Sequence, residues 1–289
     1  AAPCWSPLLR APDAWFALLD AAGPALRPLG GPGGVLHLAY GSKVGIAPFF
    51  TPRDPAALGA AAVEPDHRRP FLRTLRGIDR IEARPDDTQH EVFVVPASHD
   101  GDPGSLPPGA AAWVAAGAAA RIGGRPYAQV PSVQGHKPWY RLPPLRTGPV
   151  LVPQFRAARH HILWNPTGIP VNNSAWWGRF RDAIPDEVGV ALLNSSIGAL
   201  AAEVLGRTNL GDGLLTLYGP ELAALPCPDP RRFVNGPQAI TLREAFAPLL
   251  ARAVRPFPEE AQRPDRAALD DAVLRALDAM LQARRKVGR

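Results

Sequence analysis

The stretch ALLNSSIGALAAEVLGRTNLGDGLLTLYGPELAALPCPDP, Ala191–Pro230, joins a helix to a strand through a polar, glycine-rich loop. Asn194–Ser196 are residue types that favour the position just before a helix, and we expect that helix to run to Gly206. The following loop combines glycines with Arg207 and Asn209, and LLTLY then predicts a strand. The loop either ends the helix in a Schellman-type turn at Gly206 or brings backbone amides close to a ligand, and the residues favour both equally.

Elements of both types are predicted on either side of this stretch. Apolar residues at helical spacing predict a helix in SPLLRAPDAWFALLDAAG, which stops at Gly23, and a second in RPDRAALDDAVLRALDAMLQARRK. PGAAAWVAAGAAARIG predicts a helix of small residues, and EVFVVPAS predicts a strand. Lys137–Trp164 predicts short strands separated by prolines.

Three other segments are less defined by pattern alone. Alternating apolar residues around glycines predict a hairpin with a tight turn at Gly41–Gly45. HRRPFLRTLRGIDRIEA reads as a loop or helix, and Val188–Leu193 as a strand or the start of a helix. Because strands and long helices do not alternate regularly, we predict an α+β fold with a mixed sheet-containing core, not a doubly wound parallel sheet. We divide the chain into an N-terminal helix and linker (1–34), a core (35–235) and a C-terminal helical segment (236–289).

The composition is that of a folded protein, and it limits the possible classes. The chain has 289 residues, of which 46% are hydrophobic and 20% charged, so disorder is not expected. No apolar run approaches the ~20 residues that cross a bilayer, and the N terminus lacks the layout of a signal peptide, so we expect a cytoplasmic protein without membrane contact. Cys4 and Cys227 are too few and too far apart for a zinc site or a disulfide framework.

The positive charge is concentrated in the middle of the chain. Residues 103–181 contain no acid, although about seven would be expected from the 26 acids in 289 residues. The formal net charge of the whole chain is +6. The cations of this acid-free window are Arg121, Arg125, Lys137, Arg141, Arg146, Arg156, Arg159, Arg179 and Arg181.

Aromatic and amide side chains accompany these cations. Trp139, Trp164 and the pair Trp176–Trp177 lie in the window, as do Asn165 and Asn172–Asn173. Cations neutralise phosphates, aromatic and arginine planes stack on bases, and asparagine can read adenine edges, so the combination suits a nucleic-acid surface. Alternatively, the aromatics form the core, the arginines are a solvated face, and an arginine-rich composition reflects a GC-rich genome. That alternative does not explain the missing acids, which we attribute to repulsion from a polyanion.

No catalytic or metal-binding arrangement is recognisable. GGPGG at 30–34 lacks the spacing of a dinucleotide-binding loop, and neither a phosphate-binding loop nor His-Glu-x-x-His occurs. The adjacent His160 and His161 point apart on a strand, which disfavours a shared metal. Ser195 and Ser196 are not in a Gly-x-Ser-x-Gly turn and are expected to cap a helix. We therefore predict no catalytic residue and no metal site in this chain.

An ordered set of motifs resembles the C-terminal half of TaqI-like adenine-specific DNA methyltransferases, including fused restriction-modification enzymes. The set comprises LLRAPDAWFALL, YGSKVGIAPFF, RRPFLRTLRGI, GHKPWYRLP, VLVPQF, ALLNSS, EVLGRTNLGDGLLTLYGPELAALPCPDP and DRAALDDAVLRAL, in this order over nearly the whole chain. The resemblance implies a target recognition domain at 35–235 that grips double-stranded DNA while the adenine is flipped into a pocket on another domain.

The same resemblance implies a catalytic partner, because the Asn/Asp-Pro-Pro-Tyr/Phe motif of these enzymes has no counterpart here. We expect no cofactor in this chain, with S-adenosylmethionine on a methyltransferase catalytic domain or subunit. The start AAPCW, without a methionine, favours a fragment over a separate specificity subunit.

Nine residues are predicted to contact DNA, from charge, stacking capacity and the resembling motifs. Two rival hypotheses remain: a protein-interaction module that docks through its proline-rich loops and the Trp176–Trp177 pair, and an enzyme acting on RNA or another polyanion. The predicted DNA-binding residues are Lys43, Lys137, Trp139, Arg156, Asn172, Asn173, Arg179, Arg207 and Asn209.

Overall fold

Short helices and strands follow one another irregularly, which confirms the α+β class. The structure, a computed structural model, describes residues 10–88, 90–96, 98–99, 102–208, 214–234 and 236–287. The helices are α1 (Asp13–Ala22), α2 (Ala47–Phe50), α3 (Ala57–Ala60), α4 (Pro108–Ala119), α5 (Asp186–Leu193), α6 (Ser196–Leu205), α7 (Gly219–Ala224), α8 (Pro237–Leu250), α9 (Phe257–Glu260) and α10 (Pro264–Val287). The strands are β1 (Leu26–Pro28), β2 (Leu36–Tyr40), β3 (Arg68–Phe71), β4 (His90–Phe93), β5 (Arg121–Ile122), β6 (Arg125–Pro126), β7 (Val150–Pro153), β8 (Phe155–Arg156), β9 (Leu163–Trp164), β10 (Ala175–Phe180), β11 (Leu215–Thr216) and β12 (Pro226–Pro228).

A four-stranded antiparallel sheet lies at the centre, in the order β2-β10-β7-β9. Because successive side chains on a strand point to opposite faces, the strands β7, β9 and β10 contribute to two hydrophobic clusters. Val150 and Val152 of β7 pack in the largest hydrophobic cluster, whereas Leu151 between them packs in a separate cluster on the other face. Trp176 and Trp177 divide between the two faces in the same way.

The main hydrophobic cluster draws on all three predicted segments of the chain. Trp15 of α1, Leu36 of β2, Val190 of α5, Phe246 of α8 and Leu269 of α10 are all buried in it. The N-terminal helix, the core and the C-terminal helices therefore share a single interior.

A second cluster is built between residues 44 and 145, and the N-terminal half of α4 caps it. Phe50, Phe93 and Tyr140 are buried there. Gly117 lets α4 approach closely, because a Cβ at this position would lie 2.6 Å from the Phe49 ring.

Helices and strands that were predicted from their local sequence pattern are confirmed, whereas the predicted pairing of one strand is not. α1 ends at Ala22, next to the predicted stop at Gly23, and α4, α10 and the strand β4 form where they were predicted. The predicted hairpin around Gly41–Gly45 is wrong, since β2 pairs with β10 far along the chain, and the Gly41 amide donates to Ala175 O at 3.0 Å. An alternating pattern identifies a strand but does not identify the strand beside it.

Two undecided segments are resolved by the structure. Residues 68–71, within HRRPFLRTLRGIDRIEA, form β3, paired with β4, and Val188–Leu193 belongs to α5. Among the described residues, no single helix is long and apolar enough to cross a membrane, although α5 and α6 meet that test when taken together across their 59° bend.

Candidate nucleic-acid interface

A turn at Asn172–Ser174, leading into β10, is held between two other parts of the chain. On one side, the Ser42 amide donates to Val171 O at 2.7 Å and the Asn173 amide donates to Ser42 O at 3.1 Å. On the other side, the Asn172 amide donates to Leu72 O at 2.9 Å. These bonds fix the turn between the segment after β2 and the segment after β3.

Two grooves flank this turn. Groove A has a volume of about 700 Å³ and is lined by residues 74–78, 153–159, His161, Ser174, Leu214 and Pro256. Groove B has a volume of about 340 Å³ and is lined by residues 40–44, 142–146 and Asn173. Because Asn173 lines one groove and Ser174 the other, the two grooves meet at the turn.

Neither groove has an acidic residue in its described lining. Arg76 and Arg159 are exposed in groove A, and Lys43 and Arg146 are exposed in groove B. None of these four cations forms a salt bridge within the part of the chain that the structure describes. Arg146 is positioned by its amide, which donates to Ser42 Oγ at 2.7 Å. The grooves therefore present unpaired positive charge, as a polyanion requires.

Arg156 lines groove A but is only 5% exposed. We expected it at the surface that contacts DNA, and its burial corrects that expectation. Burial lowers its pKa to about 10, so the guanidinium still carries its charge at neutral pH. Arg156 Nη1 donates to His160 Nδ1 at 2.8 Å, and His160 Nε2 lies 3.0 Å from Leu193 O. Since a carbonyl only accepts, His160 carries its proton on Nε2 and is neutral, which agrees with a pKa well below the usual range caused by burial.

His161 is held in the same protonation state beside it. Its Nε2 lies 2.9 Å from Ile78 O, so it donates there, and its Nδ1 is a buried acceptor without a partner among the described residues. Burial, together with the charges of Arg156 and Arg159, lowers the pKa of His161 to about 4. The two histidines thus support the groove A wall as neutral rings and contact different carbonyls.

The turn and its grooves bring four of the predicted site residues together. Lys43 and Asn173 are exposed in groove B, and Arg156 lies in the wall of groove A. Asn172 is half-buried between them, with Nδ2 donating to Arg73 O at 3.3 Å and Oδ1 accepting from the Asn173 amide at 2.7 Å. Its amide therefore shapes the turn.

The other predicted site residues lie outside the grooves. Lys137 is exposed, while Trp139 is half-buried against Phe49, with ring centroids 4.8 Å apart. Arg179 is exposed on β10 near Asp186, where its charge partly offsets the burial that raises the pKa of that carboxyl. Asn209 lies outside the described residues.

Arg207 approaches groove A through its backbone. It forms an isolated bridge with Thr216 of β11, which in turn pairs with β8 in the wall of groove A. Its guanidinium is directed to Glu221, in a salt bridge, and lies 5.0 Å from the centre of the Tyr218 ring. The loop that follows Arg207 rejoins the described chain at Leu214, which lines groove A.

The Ala191–Pro230 stretch otherwise serves as scaffold. Asn194 Oδ1 accepts from the Ile162 amide at 2.9 Å, and Ser195 Oγ accepts from the Gly198 amide at 3.4 Å as the cap of α6. The Schellman-type stop at Gly206 is wrong, because Gly206 has φ −69° and ψ 156°. Glycine is needed there for close packing, since a Cβ would lie 2.6 Å from the Leu215 side chain and 2.7 Å from Ala202 O.

The acid-free window does not itself form one surface. Only Arg146, Arg156 and Arg159 of its nine cations line the grooves, and Arg121 and Arg125 lie on the β5–β6 hairpin. The acid-free window therefore does not correspond to the lining of the grooves. Sequence reasoning missed Arg76, which precedes the window, although it lies in the motif RRPFLRTLRGI.

Two further expectations about surfaces and metals bear on the alternatives. Trp176 is 6% exposed and Trp177 is half-buried on the opposite face of the sheet, so the pair does not form an exposed docking surface. Among the described residues, no group of three or more His, Cys, Asp or Glu side chains is arranged to hold a metal ion.

Comparison with known proteins identifies the family. The sequence matches the family model described as Type II methyltransferase M.Eco57I, C-terminal domain, over residues 80–247. A search of curated proteins gives no match. Among solved structures, the type IIG restriction endonuclease BpuSI is similar with a TM-score of 0.61 and 12% identity, over 96% of this chain and 33% of that chain. The type IIL restriction-modification enzyme MmeI, in complex with DNA, is similar with a TM-score of 0.50 and 14% identity, over 88% of this chain and 33% of that one.

The chain thus spans about a third of the length of these two solved structures, and at such low identity the likeness shows a shared fold. The family match covers more than half of the chain and agrees with the motif resemblance. The protein belongs to the family of C-terminal domains of type II restriction-modification methyltransferases represented by M.Eco57I.

Proposed function

We propose that this chain is a DNA target recognition domain. Double-stranded DNA lies across grooves A and B, with phosphates in both grooves and the Asn172–Ser174 turn between them. The observation that carries the proposal is the pair of grooves that meet at one turn, whose described lining holds no acid and whose four exposed cations form no salt bridge with other described residues. MmeI, which shares the fold, was solved in complex with DNA.

The cations that line the grooves contact phosphates, and the turn contacts bases. The four exposed groove cations, Lys43, Arg76, Arg146 and Arg159, neutralise phosphates, which fixes the position of the duplex without reading its sequence. Asn173 is exposed at the tip of the turn, and an asparagine amide can bond both donor and acceptor groups of adenine in the major groove. Asn173 is therefore the proposed base reader.

The chemistry is assigned to a partner domain. The described strands form antiparallel pairs and carry no catalytic arrangement. We place S-adenosylmethionine and the flipped adenine on a methyltransferase catalytic domain or subunit, which this domain positions on its site.

A binding comparison of two double variants tests the location of the interface. Fluorescence anisotropy measures the affinity of a labelled duplex for the wild type, Lys43→Ala/Arg146→Ala in groove B, and Arg121→Ala/Arg125→Ala on the β5–β6 hairpin. The two double variants lose the same charge, so a general electrostatic effect weakens both alike. We expect the groove B variant alone to lose affinity, by about tenfold or more. Equal losses, or no duplex binding by the wild type at low salt, would refute the proposal.

A further inference from the structure

The lining of groove A combines apolar surface with its positive charge. Phe155 of β8 is 45% exposed in that lining, and its ring stacks on no other aromatic ring in the part of the chain that the structure describes. The same lining includes the apolar side chains of Leu75, Ile78, Leu214 and Pro256. Because an exposed aromatic ring keeps apolar surface in contact with water, covering it with a flat ligand is favourable.

The pairing of β8 holds Phe155 with its side chain outward. Successive side chains on a strand point to opposite sides, and Arg156, which follows Phe155 on β8, is buried. Phe155 pairs with Thr216 of β11, and the carbonyl of the preceding residue, Gln154, accepts from the Leu217 amide at 3.0 Å. The ring is thus attached to a fixed piece of backbone, so little backbone freedom is lost when a ligand lies on it.

The charges of groove A indicate which ligand covers the ring. Arg76 and Arg159 are exposed, and the described lining holds no acid. A nucleotide offers both complements, a flat base for the aromatic ring and a phosphate for the cations. In a paired duplex the faces of each base are covered by its neighbours in the stack, so only a base that has left the stack can lie against Phe155. The groove volume of about 700 Å³ is within the range of pockets that enclose small ligands, which leaves room for one nucleotide.

We infer that groove A binds one unpaired nucleotide of the DNA, with its base stacked on Phe155 and its flanking phosphates held by Arg76 and Arg159. The inference rests on the proposed function and adds to it a site for a base that has left the helix, while groove B contacts the paired part of the duplex. Base flipping creates unpaired nucleotides, and stacking on Phe155 offsets part of the free energy that unpairing costs.

Fluorescence anisotropy with three labelled DNAs tests the site. The first is a fully paired duplex, the second is the same duplex with one additional, unpaired adenine, and the third is a single strand of the same sequence. We expect the wild type to bind the second DNA about 5- to 150-fold more tightly than the first, because one stack between a base and an aromatic ring is gained. The single strand should bind less tightly than the second DNA, because it offers groove B no duplex.

A matched set of variants separates stacking from the flexibility of a duplex with an unpaired base. Phe155→Ala removes the ring and Phe155→Tyr keeps one, while Phe16→Ala removes a ring that is 38% exposed on α1, outside both grooves. We expect Phe155→Ala alone to lose the preference for the unpaired adenine. All three variants should bind the fully paired duplex as the wild type does.

The outcomes separate the site from the proposed function. Binding of the paired duplex without a preference for the unpaired adenine overturns the site and leaves DNA recognition standing. A preference that survives in Phe155→Ala, or that is lost equally in Phe16→Ala, also overturns the site and leaves the Phe155 ring to a protein contact. A single strand that binds more tightly than the second DNA assigns groove A to continuous single-stranded DNA and overturns the inference. No binding of any of the three DNAs overturns the proposed function, and the site with it.

Discussion

The salt dependence of duplex binding gives a quantitative test of the grooves. Each phosphate neutralised by a cation contributes about −0.9 to the slope of log affinity against log salt concentration. Lys43, Arg76, Arg146 and Arg159 are the exposed groove cations, so we expect a slope of about −3.6. Raising the salt from about 50 to 200 mM would then weaken binding by roughly 150-fold, equal to about 3 kcal/mol.

Single variants measure how much each cation contributes to this slope. Arg159→Ala and Lys43→Ala should each reduce its magnitude by about 0.9, because each removes one phosphate contact. Arg275→Ala is the matched control, since Arg275 lies on α10, is 80% exposed and lines neither groove. Anisotropy titrations at four or more salt concentrations would measure all the slopes.

Two results would refute the reasoning. A wild-type slope near zero means that binding does not depend on phosphate contacts. A slope that falls as much in Arg275→Ala as in Arg159→Ala means that total charge, and not the grooves, governs binding.

The remaining predictions concern base contacts and stability. Phe155 is 45% exposed in groove A, where its ring is placed to stack on an unpaired base. Phe155→Ala should therefore weaken the binding of single-stranded DNA by about 1–3 kcal/mol without changing the salt slope. A changed slope would show that Phe155 has a different role. Asn173→Ala should alter the sequences selected from a random duplex library, whereas an unchanged selection would exclude Asn173 as reader. Because the folded pKa of His161 is about 4, against an ordinary value of 6.5, the unfolded chain takes up this proton first as the pH falls. The free energy of unfolding should therefore decrease by about 3 kcal/mol between pH 7 and 4, and urea denaturation of His161→Gln, which keeps a donor to Ile78 O, should lack this part of the loss; an identical pH profile in the variant would contradict it.

Local elements were predictable from the sequence, whereas the residues that line the two grooves were predictable only in part. α1 and α10 follow from apolar spacing and from residues at their own ends, which are local signals. The pairing of β2 with β10 is not, because any partner of suitable pattern satisfies a strand edge. The family resemblance succeeded where charge counting did not, since it drew on ordered motifs on both sides of the acid-free window.

The acid-free window did not predict which cations line the grooves, and this has a physical cause. A run without acids identifies a segment that carries no negative charge. Folding distributes the residues of that segment over a hairpin, a core and two groove walls. Arg156 shows the difficulty at a single residue, since its burial depends on His160 and on the strand pairing of β8 with β11. Sequence reports which residues carry charge, and the fold decides where that charge is exposed.

The turn between the grooves explains how a surface built from separate parts of the chain can act as one. The segments that contain Ser42 and Leu72 both form backbone hydrogen bonds with residues 171–173. The positions of Lys43 in one groove and Arg76 in the other are therefore set relative to the same short piece of chain. Backbone hydrogen bonds of this kind leave little freedom for one groove to move against the other. If the proposed function holds, phosphate contacts in both grooves would constrain the position of the duplex relative to Asn173. A displaced duplex would then lose contacts on both sides before it presented a different base to the turn. A recognition domain needs this coupling, because charge alone supplies affinity, and only a fixed register converts affinity into the choice of a sequence.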